Sequence, residues 1–178
     1  PLRQQVQIES VDEPLRNGLW TACSVIYWDS WEPEEYGYQK PEAKKVELLA
    51  TRIWLYYFKK PIDTLPEIKR TLSSAPDFVG KLREYFFKCS WYEVFDLIEF
   101  ICLNGPENRY EPFARLCYDL LTTEMPSYRL VNKEITRITD ESEIQAVEQA
   151  SSSPFATVNS HLFAALRLLS DRKSPDFR

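Results

Sequence analysis

Glycine is scarce, with 4 in 178 residues. Sandwiches and barrels lean on repeated glycine turns, and a P-loop or Rossmann phosphate cradle needs a glycine-rich loop. Neither suits this composition. Histidine occurs once, at His161, and methionine once, at Met125. The four cysteines, Cys23, Cys89, Cys102 and Cys117, are nowhere paired at zinc-ligand spacing. Each falls in an apolar helical run and reads as a buried, reduced thiol. No metal and no cofactor is expected. No apolar run approaches the ~20 residues that span a bilayer, and no secretory signal is visible, so the reading is a cytoplasmic chain without membrane contact. The net charge of −5 opposes nucleic-acid binding through overall electrostatics and leaves room for a local basic face.

What is present is helical pattern and aromatic bulk, 14% of residues. Asp12 and Glu13 before Pro14 make a helix start, and Leu15, Leu19, Ala22 and Ile26 share one face. The loop DSWEPEEYGYQKP follows. A second helix is predicted over 42–59, with Val46, Leu49, Ile53 and Tyr56 inward and Pro61 as its stop. Thr64 is expected to cap a short helix carrying Pro66 in its first turn, and Pro76 to open the next, with Phe78, Leu82, Tyr85 and Phe86 apolar. Ser90 and Glu93 form a capping box ahead of the stripe Val94, Leu97, Ile98 and Ile101, which Asn104-Gly105-Pro106 ends. Another helix is predicted over 108–123, with Phe113, Leu116, Leu120 and Leu121 facing in.

The stretch SYRLVNKEITRIT then breaks the helical pattern. Tyr128, Leu130, Ile135, Thr136 and Ile138 favour strand, and Asn132-Lys133 supplies a tight turn without the usual glycine. Helices are predicted again over TDESEIQAVEQA and VNSHLFAALRLLSDR, split by SSSP. The expected fold is mainly α, a multi-helix bundle with one short β-hairpin near 128–138. Residues 1–126 form the helical body, and 127–178 add the hairpin and two helices to the same domain.

Chemistry-bearing residues are sparse. Glu93, Asp96 and Glu99 lie along one helix side, but a bundle metal site adds an E-x-x-H motif that is missing here; they read as a solvated face. His161 has no identifiable partner for proton transfer. Basic residues cluster at Lys59-Lys60, Lys69-Arg70, Lys81/Arg83 and Arg167/Arg172/Lys173, with Arg129 and Arg137 in the hairpin. Converging, they would contact phosphates, with Trp31 or Trp91 as stacking platforms. Ribonucleases of the HEPN class carry Arg, a polar residue and, a few positions on, His; Arg16-Asn17 is followed by GLWTACS, with no His.

Five segments in order, DEPLRNGLW, WYEVFDLIEFI, YEPFARLCYDLL, YRLVNKEITRITDESEI and HLFAALRLLSDRKSPDFR, resemble the N-terminal domain of AbiJ-type abortive-infection proteins in its fourth variety. The most specific parts are the YR…IT-D-x-x-E-I unit and the closing LLSDR-x-x-PD-[YF]-R; Lys133 departs from the family's glycine at the hairpin turn. The resemblance implies a bacterial antiphage protein in which this domain precedes a C-terminal effector, often HEPN-like, that would carry any RNA cleavage. The lack of an initiator methionine and the stop at SPDFR fit a fragment with the effector beyond residue 178, although methionine removal would also explain the first.

The function expected is a non-catalytic sensor, regulatory or interaction domain with no catalytic residue of its own. Its partners would be the C-terminal effector of the same protein, a second copy as a homodimer, or RNA. The alternative is a degenerate HEPN-like ribonuclease, or an RNA-binding module, centred on Arg16 and Asn17. Candidate binding residues are Arg16, Asn17, Tyr128, Arg129 and Arg172.

Overall fold

Asp12 opens the first helix. In the computed structural model, which describes residues 10–29, 41–68, 77–125 and 127–137, its Oδ1 accepts from the Leu15 N–H at 3.1 Å. Helix α1 covers Glu13–Cys23 and runs on as a wider π turn, Ser24–Trp28. Helix α2, Pro41–Arg52, ends the same way in a π turn over Ile53–Tyr57. A 3-10 turn, Ile62–Thr64, follows. Then come α3 (Phe78–Lys88), α4 (Trp91–Asn104), α5 (Glu107–Glu124) and the antiparallel strands β1 (Tyr128–Val131) and β2 (Glu134–Arg137). Among the described residues the architecture is mainly α with one hairpin, as the patterning predicts. Trp31, Lys69, Arg70, Pro76, Ile138, the loop over 30–40 and the helices expected after residue 139 lie outside the described residues.

The two π turns correct the 3.6-residue reading at the ends of α1 and α2. A π turn closes i→i+5 bonds and so takes in an extra residue; the Phe58 N–H reaches the Ile53 carbonyl and the Asp29 N–H that of Ser24. The inward face therefore shifts by one. Tyr56, expected inward, is 65% exposed, while Trp54 is buried and Tyr57 half-buried. Ile26, also expected inward, is half-buried, and Tyr27 and Trp28 take the core positions. Trp28 and Trp54 both set an edge against Phe78, with ring centroids 5.7 and 6.3 Å away. The first residue of α3 thus wedges between the two π turns. Each such aromatic pair adds ~0.5–1.5 kcal/mol beyond its area burial.

Two further expectations give way. Thr64 closes the 3-10 turn instead of opening a helix: its hydroxyl donates to the Pro61 carbonyl at 2.7 Å and accepts from Trp54 Nε1 at 3.1 Å. In α5 the buried stripe is Phe113, Cys117 and Leu121, an i, i+4, i+8 row. Leu116, read as inward from the i+3 spacing, is 39% exposed. Elsewhere the patterning holds. The capping box of Ser90 and Glu93 starts α4, whose Val94, Leu97, Ile98 and Ile101 are buried. Helix α4 ends at Gly105, the residue before Pro106, where the backbone turns extended, and a Cβ there would meet the Ile101 carbonyl oxygen at 2.7 Å and the Tyr27 hydroxyl at 3.0 Å.

The hairpin packs on α4 and α5, which an isolated two-stranded ribbon needs for stability. Tyr128, Leu130 and Ile135 belong to the main core. The cross-strand pair Arg129 and Thr136 faces the other way and is also buried, so both faces are covered. Glu99 ties the ribbon down: its Oε1 accepts from the Ile135 N–H at 2.6 Å. That carboxylate is a half-buried anchor and not the solvated group expected. Asn132 and Lys133 both have positive φ, 51° and 72°, the pattern of a primed hairpin turn. Lys133 tolerates that conformation with its ammonium over the Tyr110 ring at 4.6 Å and 3.2 Å from Glu107.

Three arginines join helix ends to other helices. Arg16 of α1 donates from Nη1 to the Phe86 carbonyl and from Nη2 to that of Cys89 at 3.1 Å, at the end of α3. Arg52 of α2 donates to the Asn104 carbonyl, the last of α4, at 2.8 Å. Arg109 of α5 donates to the Ile26 carbonyl in the π turn that ends α1. The carbonyls at a helix end lack intrahelical partners and carry the negative end of the dipole. The last turns of α1 and α4 hold no basic residue of their own; a neighbour supplies the cation.

Alanine at Arg52 or at Arg109 is expected to lower the unfolding free energy by about 1.5–3 kcal/mol, the range for a hydrogen bond from a charged donor. Alanine at Lys88, whose pair with Glu84 is exposed, should change it by less than ~0.5 kcal/mol. Urea denaturation at neutral pH reads all three.

Candidate functional site

Helices α1 and α5 run antiparallel. Arg109, near the start of α5, reaches Ile26 beyond the end of α1, while Gly18 in α1 sits against Leu120 late in α5. A Cβ on Gly18 would lie 2.6 Å from Leu120 Cδ2. The missing side chain lets the helices close up there, against the ~1 kcal/mol that glycine costs inside a helix.

Alongside this contact the two helices leave a groove of about 490 Å³, within the ~300–1,000 Å³ usual for binding clefts. Gly18, Ala22 and Leu120 line it, with Val25 and Leu116 at 54% and 39% exposure. Among the described residues that line it, Asp119 and Glu124 are charged, and both belong to α5. An apolar trough with acid on one wall has the shape and chemistry to receive the apolar face of a helix that carries basic flanks.

The residues expected to bind are dispersed by the fold. Arg16 is half-buried and engaged with the α3 end, next to the Cys89 thiol at 3.9 Å. Asn17 is exposed on α1, and its carbonyl accepts from the Thr21 hydroxyl at 2.7 Å. Tyr128 is buried, with its ring centroid 5.3 Å from Phe95 and 6.4 Å from Trp91. Arg129 is also buried, and its Nη1 donates to the Tyr128 carbonyl at 2.9 Å. Arg172 and His161 lie outside the described residues. Among the basic clusters, Lys60 and Lys81 converge on Trp54, at 4.7 and 5.8 Å from its ring. That indole is 2% exposed and cannot serve as a stacking platform.

The groove escaped the sequence reading because its walls come from helices about a hundred residues apart. Gly18 in mid-helix was the available signal, since an interior glycine marks a close approach.

The thiols and phenols of the core are tuned away from reactivity. Burial pushes the Cys23 and Cys117 thiols up and Cys102 up to about 12. Burial also raises Cys89, outweighing the opposing pull of the Arg16 guanidinium. A nucleophilic cysteine needs the reverse. Desolvation raises the Tyr27 and Tyr57 phenols as well, and Tyr85 to about 12. Such groups favour the folded state while neutral. The unfolded chain loses their protons first as pH rises, so it binds fewer protons than the folded one and stability falls. Stability is expected to hold below about pH 9, the unperturbed thiol value, and to fall continuously towards pH 12. Denaturation midpoints measured across that range check it; a flat profile to pH 11 contradicts the burial.

No helix among the described residues is long and apolar enough to cross a membrane. The chain matches no curated protein and no solved structure significantly. The family model of AbiJ N-terminal domain 4 matches residues 1–153, and the chain belongs to that family, a domain of abortive-infection proteins.

Proposed function

We propose that this chain is a non-catalytic interaction domain of an antiphage abortive-infection protein, which regulates an effector carried elsewhere in that protein. The observation that carries the reading is the α1–α5 groove. It presents Val25, Leu116 and Leu120 as one apolar strip across two helices, on a framework built to keep those helices fixed. An apolar groove with acid on one wall has the form that an amphipathic partner helix can fill. Arg16, which with Asn17 carries the ribonuclease alternative, has its guanidinium directed at two backbone carbonyls. Using it to steady a developing charge on RNA would break the α3 end.

Incubated with single- and double-stranded RNA, the chain is expected to leave both intact. Cleavage that disappears in a folded Arg16→Ala variant would contradict the reading. The docking role is tested in the full-length protein by Val25→Glu/Leu116→Glu, both at exposed positions. The pair should reduce binding between domain and effector by more than about tenfold, and unchanged binding would count against the groove.

Nucleic-acid contact is the second reading, favoured by the convergence of Lys60 and Lys81. Affinity for RNA that falls steeply with salt, and less steeply in Lys60→Ala/Lys81→Ala, would support it.

A further inference from the structure

Two lysines from separate elements meet over one indole. Lys60 lies just past the π turn that ends α2, and Lys81 closes the first turn of α3. Their ammoniums stand 4.7 and 5.8 Å from the Trp54 ring. Lys59 adjoins them in sequence, and all three residues are exposed. We infer that this cluster is a binding site for a single phosphate group, held between Lys60 and Lys81 with Lys59 as an outer cation. The inference shares with the nucleic-acid reading the premise that these lysines meet phosphate. It goes further: one phosphate is enough, and no base is read.

The cations are unbalanced. Among the described residues neither ammonium has a carboxylate partner, whereas Lys45, Lys88 and Lys133 each have one. Asp77, the acid at the head of α3, is engaged as its cap, with Oδ1 accepting from the Gly80 N–H at 2.6 Å. Like charges gathered on one ring repel, and the π face offsets only part of that.

Two local choices at the same place oppose ordinary preference. Lys59 has φ 53°, the left-handed region that glycine usually takes at a helix end. The Lys60 N–H donates to the Trp54 carbonyl at 3.0 Å, which closes the helix end around that strained residue. Lys81 is a cation in a first turn that holds no acid, where the helix dipole disfavours it. Such departures concentrate at functional sites. A phosphate between the ammoniums would relieve their repulsion and meet the positive end of α3, toward which a side chain on that helix points back.

Trp54 fixes the geometry. Its Nε1 donates to the Pro61 carbonyl at 3.0 Å and to the Thr64 hydroxyl at 3.1 Å. The ring is buried, so recognition stops at the phosphate.

Calorimetric titration of the intact chain at low salt, with tripolyphosphate and with a short single-stranded RNA, tests the site. Lys60→Ala/Lys81→Ala should weaken tripolyphosphate binding about tenfold or more, and Lys88→Ala should leave it unchanged. Lys59→Gly should weaken it about threefold without lowering the urea midpoint, since glycine suits that φ; a lysine needed only for the fold would not split the two readouts. For RNA, the double variant should flatten the salt slope by ~0.7, the value of one phosphate contact on a single strand. Tripolyphosphate that does not bind, or binds wild type and double variant equally, overturns the inference. RNA affinity still sensitive to the two lysines would then leave the nucleic-acid reading standing alone, as a contact with an extended strand. Tripolyphosphate bound at the lysines without RNA binding supports the inference, with a free phosphate compound as the source, and removes the nucleic-acid reading.

Discussion

An arginine from one helix ending on the carbonyls of another is the interaction on which this structure turns. The helices are short, α1 and α3 each with 11 residues, and helices of that length are marginal in isolation. Their ends face inward at the junctions of a crowded, aromatic-rich core, where unpaired carbonyls would be costly. A guanidinium suits the task because it stays charged, spreads its donors in a planar fork and tolerates partial burial better than an ammonium. Arg16 joins α1 to α3, Arg52 joins α2 to α4, and Arg109 joins α5 to the end of α1. The three contacts link all five described helices, in two groups that the shared core then holds together.

The π turns follow from the same need to end helices inside the core. Each lets a helix finish while rotating a tryptophan onto Phe78, so the wide turn is a packing device at both places. The hairpin plays a related part at the other side. Its ladder satisfies its own backbone, Glu99 takes the Ile135 N–H, and Tyr128 adds its ring to Trp91 and Phe95. It packs against α4 and α5. With that face filled and the helix ends clamped, the α1–α5 flank is left as a firm apolar trough, and firmness lowers the ordering cost of binding.

How much of this could be read beforehand divides along the range of the interactions. Helix α4 was legible residue by residue, because a capping box, an i, i+3, i+4, i+7 stripe and a glycine stop are local signals. So was the hairpin, from Asn132-Lys133 between β-preferring runs. The ends of α1 and α2 were misjudged at Ile26 and Tyr56, since a fixed 3.6 period has no means of announcing a π turn. Leu116 was misplaced because Phe113 begins two candidate rows, and only packing chooses Cys117 over Leu116. The roles of Arg16 and Glu99 were hidden altogether, their partners lying 70 and 36 positions away. Arg16 drew attention because Arg16-Asn17 matches the first half of the HEPN arginine–polar–histidine pattern. Its hydrogen bonds to the Phe86 and Cys89 carbonyls could not be read from that pattern.

The most direct test of this account is hydrogen exchange of the folded Arg16→Lys variant, a change that keeps the charge and removes the fork. If the guanidinium joins helices, protection should fall by about tenfold or more at the last-turn amides of α3, with a matching loss at the slowest-exchanging amides of α4, because the core opens more often as a unit. Protection unchanged throughout, together with a lost affinity for RNA or for a protein partner, would mean that Arg16 serves a ligand and that the clamp is incidental.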